Sequence, residues 1–165
     1  VLRISKLTDY GTVILAALAS QPENTRLTAT DVAERTRLGL PTVSKLLKSL
    51  QRGGLVASTR GSCGGYQLAR PANQISAAAI LDALEGKLAL TECSGQHSHC
   101  DIESTCGVGH AWQHVNFAIR RSLEDMSLAQ LAGFERVAMR GPDLAKSPRR
   151  VTEAPLVRMP RPAQE

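Results

Sequence analysis

The stretch PTVSKLLKSLQRG, residues 41–53, constrains the fold more than any other part of the chain. Val43, Leu46, Leu47 and Leu50 fall at i, i+3, i+4 and i+7, which gives a helix one apolar face. The opposite face carries Thr42, Ser44, Lys45 and Lys48. Pro41 suits the first turn of such a helix, where a missing N–H leaves no hydrogen bond unmade. Just upstream, TATDVAERT predicts a second short helix: Thr28 followed by Asp31 has capping-box spacing, with Asp in place of the usual Glu or Gln. That helix is expected to stop near Leu38 and Gly39, glycine being suited to a left-handed end. Two short helices joined by a tight turn, the second with a polar and basic outer face, make a helix-turn-helix. Taken alone, the pair also fits a helical hairpin whose lysines merely face water.

The next segment tips the balance. GGLVASTRGSCGGYQLAR reads as a strand at 55–58, a glycine-rich turn and a returning strand at 66–69. A hairpin directly after a recognition-type helix is a wing. Arg60 stands at its tip beside Gly61, Gly64 and Gly65, where an arginine can reach along a nucleic-acid backbone or into a minor groove. A nucleotide phosphate cradle is disfavoured, because the glycines lack the GxxxxGK[ST] pattern and no helix start follows them. Cys63, at the same tip, reads as a small loop residue.

The remaining elements are local and helical. TDYGTVILAALA, residues 8–19, has Thr8 as a cap and Val13, Ile14, Ala17 and Leu18 on one stripe. Ser76 caps a short helix with Ile80, Leu81 and Leu84 inward and Gly86 past its end. HAWQHVNFAIRRSLEDM sets Trp112, Val115, Ile119, Leu123 and Met126 at steps of three and four, the pattern of a helix that pairs with a second copy. Packing against the first helix is the alternative partner for that stripe. Ser127 and Gln130 form a capping box for a last short helix. From Gly141 the chain has five prolines and few apolar residues, the composition of a disordered tail.

Aromatic residues make up only 3% of the chain, so the core must be built from Leu, Val, Ile and Ala, as helical proteins build theirs. The expected fold is therefore mainly α with a small β-hairpin wing. It divides into a winged helix-turn-helix DNA-binding domain (1–87), a cysteine-rich cluster-binding loop (88–110), a dimerisation helix with a short C-terminal helix (111–140) and a disordered tail (141–165). Net charge is +5, and its placement matters more than its size. Residues 1–70 hold ten Lys and Arg against four Asp and Glu, whereas residues 71–165 hold ten against eleven. The basic excess thus lies where a polyanion would be read. With no signal-peptide pattern and no membrane-length apolar run, a cytoplasmic protein without membrane contact is expected.

Three of the four cysteines stand in TECSGQHSHCDIESTCGVGH, residues 91–110. Cys93, Cys100 and Cys106 are separated by six and five residues, and His97, His99 and His110 stand among and just after them. In a reducing compartment such a group ligates or reacts more readily than it forms disulfides. Structural zinc typically wants a shorter first gap, although Cys93, Cys100, Cys106 and His110 would complete a Cys3His set. Thiol catalysis needs one activated cysteine beside an orienting base, and none is singled out. An iron-sulfur cluster tolerates the longer spacings. Placed between a DNA-reading module and a dimer helix, it would couple its own presence to the spacing of two recognition helices. No acid-base or nucleophile constellation points to an enzyme.

The opening LRISKLTDYG, the unit LTATDVAERTRLGLPTVSKLLKSLQRGGLV, the wing RGSCGGY, the three spaced cysteines and WQHVNFAIRRSLEDMSLAQLAG occur in the order found in a known family. Over residues 2–133 the chain resembles the bacterial winged-helix iron-sulfur regulators of the IscR and NsrR kind, and within them the regulators of SUF iron-sulfur assembly genes. The resemblance implies a homodimeric repressor that binds an operator in double-stranded DNA. It implies a 2Fe-2S or 4Fe-4S cluster on Cys93, Cys100 and Cys106. The fourth ligand differs within the family. IscR-like members use a histidine three residues after the last cysteine, where this chain has Gly109, with His110 one step later. Nitric-oxide sensors use an aspartate from the partner's first helix, and Asp9 falls at that position. Thr42, Ser44, Lys45, Lys48 and Arg60 are the implied DNA contacts, with Ser44 standing where IscR-like members carry an acidic base-reading residue. Two rival readings are a nitric-oxide or redox sensor controlling detoxification genes and a zinc-stabilised protein-interaction module.

Overall fold

The computed structural model describes residues 4–22, 25–61, 64–91 and 108–136. The order is α1 (Lys6–Ala19), α2 (Ala29–Thr36), α3 (Leu40–Arg52), β1 (Val56–Thr59), β2 (Gly65–Leu68), a 3-10 turn (Ala72–Gln74), α4 (Ala77–Leu84), α5 (Gly109–Glu124) and α6 (Leu128–Leu131). This is a mainly helical fold with one antiparallel hairpin, a winged helix. Its core is aliphatic: Ile14, Leu15, Val32, Val43, Leu47, Leu50, Ile75 and Leu128 are fully buried.

Several local signals act as the sequence predicts. Thr28 and Asp31 form a reciprocal capping box on α2, and Ser127 and Gln130 do the same for α6. Ser76 caps α4 by accepting from the Ala79 N–H. The α3 stripe Val43, Leu46, Leu47 and Leu50 is buried throughout.

Elsewhere tertiary contacts moved the expected boundaries. The α1 cap is Ser5, whose hydroxyl oxygen accepts from the Leu7 and Thr8 N–H groups. Thr8 is instead buried, and its hydroxyl donates to the Glu85 carboxylate. Val13 is exposed, because α1 turns the face Thr8, Gly11, Ile14, Leu15 and Leu18 inward. Gly11 lies on that inward face against α4, where an added Cβ would meet the end of the Leu84 side chain and make it shift.

The end of α2 is also different. The left-handed residue is Arg37, at φ 56°, ψ 27°, while Gly39 is extended and serves as the N-cap of α3. Ending the helix there lets Leu38 pack on the core. Both strands are shifted by one residue from the expected ranges, with Val56 facing Leu68 and Thr59 facing Gly65. At the end of the ladder the Ala69 N–H donates to the Leu55 carbonyl, while the Leu55 N–H donates to the Leu50 carbonyl at the end of α3.

Candidate nucleic-acid interface

The expected recognition helix, α3, is oriented by its own buried face. With Val43, Leu46, Leu47 and Leu50 in the core, Lys45 and Lys48 are exposed and Thr42 and Ser44 half-buried. Lys45 and Lys48, three apart, share one helical face. No carboxylate occurs between Glu34 and Asp82, so α3 and the hairpin together form a surface of one sign.

Polar contacts fix the hairpin, one of them to that helix. Gln51 of α3 donates to the Ser58 hydroxyl of β1 at 2.8 Å. The Leu27 and Tyr66 N–H groups donate to each other's carbonyls at 3.0 and 2.8 Å, adding a short third rung that ties β2 to the chain entering α2. Gly64 closes the turn by donating to the Gly61 carbonyl, and a Cβ on Gly64 would lie 2.5 Å from the Thr59 carbonyl oxygen. Arg60 follows β1 directly and is exposed. Sequence reasoning found the hairpin but not its third rung, because a single pair of bridging residues leaves no period to read.

A second group of predicted site residues lies away from this surface. Cys93, Cys100 and Cys106, like Cys63, His97 and His99, fall outside the described residues. What the structure does place is the chain on either side of them. The Asn116 side chain donates to the Leu88 carbonyl at 3.4 Å and accepts from the Leu90 N–H at 3.2 Å, holding residues 88–90 against α5. Asp82 of α4 and Arg120 of α5 make a two-pronged ion pair at 2.8 and 3.1 Å, and Arg120 also reaches Glu124. The carboxylates beside the Arg120 guanidinium, Asp82 foremost, raise its pKa further.

Asp9 and His110 are both exposed, on the first turns of α1 and α5. Neither side chain makes a hydrogen bond or ion pair among the described residues. Asp9 borders a cleft of about 470 Å³ whose walls are otherwise largely apolar, including Ile4, Ile80, Leu81, Leu123 and Met126. Next to Asp9, Glu85 fastens the start of α1: its carboxylate accepts from the Thr8 hydroxyl and from the Ser5 N–H. Those contacts, Thr8 first, hold the Glu85 carboxyl below the usual carboxylate range.

The expected pairing helix is one continuous element, α5, that ends at Glu124 before reaching Met126, and its apolar stripe is covered unevenly. Ile119, Leu123 and Met126 are half-buried, while Trp112 and Val115 remain 48% and 42% exposed. Among the described residues no helix is long and apolar enough to cross a membrane, and no three His, Cys, Asp or Glu side chains stand together as a metal site.

Known proteins share this arrangement. The profile of the Rrf2 family, described as iron-dependent transcriptional regulators, matches residues 4–133. Protein rrf2 of Nitratidesulfovibrio vulgaris is 29% identical over 130 residues, covering 79% of this chain and 87% of that protein. Among solved structures, IscR of T. potens superposes with a TM-score of 0.60 at 29% identity, covering 84% of this chain and 92% of the other. CymR, the global cysteine regulator of B. subtilis, superposes with a TM-score of 0.62 at 25% identity, covering 82% and 99%.

Proposed function

Since the chain belongs to the Rrf2 family and is a DNA-binding transcriptional regulator of winged-helix type, we propose that it is a homodimeric repressor whose operator affinity is set by an iron-sulfur cluster. Its targets in this reading are the SUF genes for iron-sulfur assembly. The observation that supports the proposal is how the chain is held on either side of the cysteine segment. It leaves α4 through residues 88–90, which Asn116 of α5 holds, and re-enters the described fold at α5. Anything that draws Cys93, Cys100 and Cys106 together therefore acts on α4 and α5 at once.

The donor set fits such a group. Three thiols are the ligands iron-sulfur clusters take, and the uncommitted side chains of Asp9 and His110 offer a weaker oxygen or nitrogen donor for the fourth position. The bound cluster, 2Fe-2S or 4Fe-4S, supplies an assembly that iron shortage, oxidants or nitric oxide dismantle. The chain's own residues do the rest. Asp9, from the partner copy, would tie one subunit's α1 to the other's cysteine segment, with Thr8 and Glu85 holding the turn that carries it. The exposed half of the α5 stripe, Trp112 and Val115, would pack against the second copy. Thr42, Ser44, Lys45 and Lys48 would enter the major groove and Arg60 the minor groove. In this reading residues 1–87 bind DNA, 88–110 hold the cluster and 111–140 join the two copies.

Anaerobic purification followed by a visible spectrum, with iron, sulfide and zinc analysis of the same sample, tests the proposal. A coloured protein with iron and acid-labile sulfide, bleached by Cys100→Ala, is the expected result. A colourless protein with stoichiometric zinc would leave a winged helix whose metal only holds its fold. The exposed, unpaired Asp9 favours one further reading, a nitric-oxide sensor of detoxification genes. Cluster retention in His110→Ala combined with its loss in Asp9→Ala would support it.

A further inference from the structure

Arg37 is the one non-glycine residue with a positive φ among the described residues. Its left-handed conformation crowds the Cβ against the backbone, so glycine or asparagine is the residue that a helix end of this kind favours. Nothing in the fold accounts for an arginine here. The Thr36 hydroxyl already donates to the Val32 carbonyl at the end of α2, and Arg35 already supplies a cation in its last turn. Three residues further on, Leu40 begins α3, and a cation near a helix N-terminus opposes its dipole. Arg37 is exposed, and its guanidinium makes no hydrogen bond or ion pair among the described residues.

A side chain held in an unfavourable backbone conformation that serves no contact within the chain points to a partner outside it. The charge around it names that partner: Arg37 lies near the start of the acid-free stretch that runs on through Lys45, Lys48 and Arg60. We propose that Arg37 contacts the phosphate backbone of bound DNA beside the N-terminus of α3. The contact positions the recognition helix and carries no base preference. This inference rests on DNA binding through α3 and is independent of any cluster.

The test uses the full chain and a fluorescein-labelled duplex of arbitrary mixed sequence, titrated by anisotropy over a range of salt concentrations. Arg37→Gln keeps an unbranched polar side chain and the backbone strain but removes the charge. It should weaken binding several-fold and flatten the dependence of log K on log salt by about 0.9, the contribution of one phosphate contact. Arg37→Lys should keep the wild-type slope. Arg37→Gly should lose the same slope as Arg37→Gln while melting at or above the wild-type temperature, since glycine relieves the strain. A wild-type slope in Arg37→Gln overturns the proposal. So does an Arg37→Gly variant that melts clearly below wild type, because the side chain would then serve the fold. If the wild-type chain fails to bind the duplex even at low salt, DNA binding through α3 fails first.

Discussion

α3 and α5 are both amphipathic helices of similar length, yet they are finished differently. The apolar stripe of α3 is wholly covered by α1, α2 and α4, leaving only its polar and cationic face for a partner. The stripe of α5 is covered only in its second half, and Trp112 and Val115 stay in solvent along with Phe117 at 61% exposure. Specific polar contacts do much to hold α5: Arg120 to Asp82, and Asn116 to the chain at 88–90. A buried stripe is used up in folding, whereas an exposed one remains for association. The same 3.6-residue period therefore marks a candidate DNA-reading element in one place and a candidate subunit contact in the other.

The sharpest way to break this comparison is to truncate each stripe. Leu47→Ala should cost about 3 kcal/mol of folding stability, the usual loss for a fully buried leucine, measured by denaturant unfolding. A cost under about 1 kcal/mol would mean that α3 is not the core element described. Trp112→Ser together with Val115→Ser should leave the fold intact but weaken self-association roughly a hundredfold, read by sedimentation equilibrium. An unfolded double variant, or one that associates like wild type, would remove the contrast between the helices.

Smaller effects sharpen it. Thr28→Ala removes one half of the α2 capping box and should cost about 1 kcal/mol by chemical denaturation. Arg120→Ala should cost less, about 0.5 kcal/mol, because the pair it breaks is partly open to solvent. Its clearer signature is faster amide exchange in α5 than in α3. The smallest effect is one of pH. Glu85 titrates below its ordinary range in the folded protein, so its contribution is complete at neutral pH and is lost as pH falls through that lowered value. Glu85→Gln should flatten the acid side of the stability profile by a small amount. An acid limb identical to wild type would mean that the fastening of α1 does not depend on the charge.

Legibility from sequence followed the range of the interaction. The caps at Thr28, Ser76 and Ser127 and the stripe of α3 each depend on residues within two helical turns, and each is where the pattern places it. Asp9 and His110 could be placed at the starts of their helices, but not the way Glu85 fastens the turn before Asp9. That contact spans α4 to α1, and no local period records it. Arg37 escaped notice for a related reason: the nearby Gly39 carried the expected signature of a left-handed stop, and the chain spends its left-handed turn two residues earlier.

By itself the sequence determined the kinds of element, their order, the basic character of the first seventy residues and the residue types available to a ligand or to DNA. These follow from side-chain spacing and short-range capping, which act before distant segments meet. Only the tertiary structure decided which face of α1 turns inward, where α2 stops, and how much of α5 is left uncovered. Those outcomes depend on close approaches such as Gly11 to Leu84 and on links such as Arg120 to Asp82, whose partners lie far apart in the chain. Their free energy exists only once the elements are packed together.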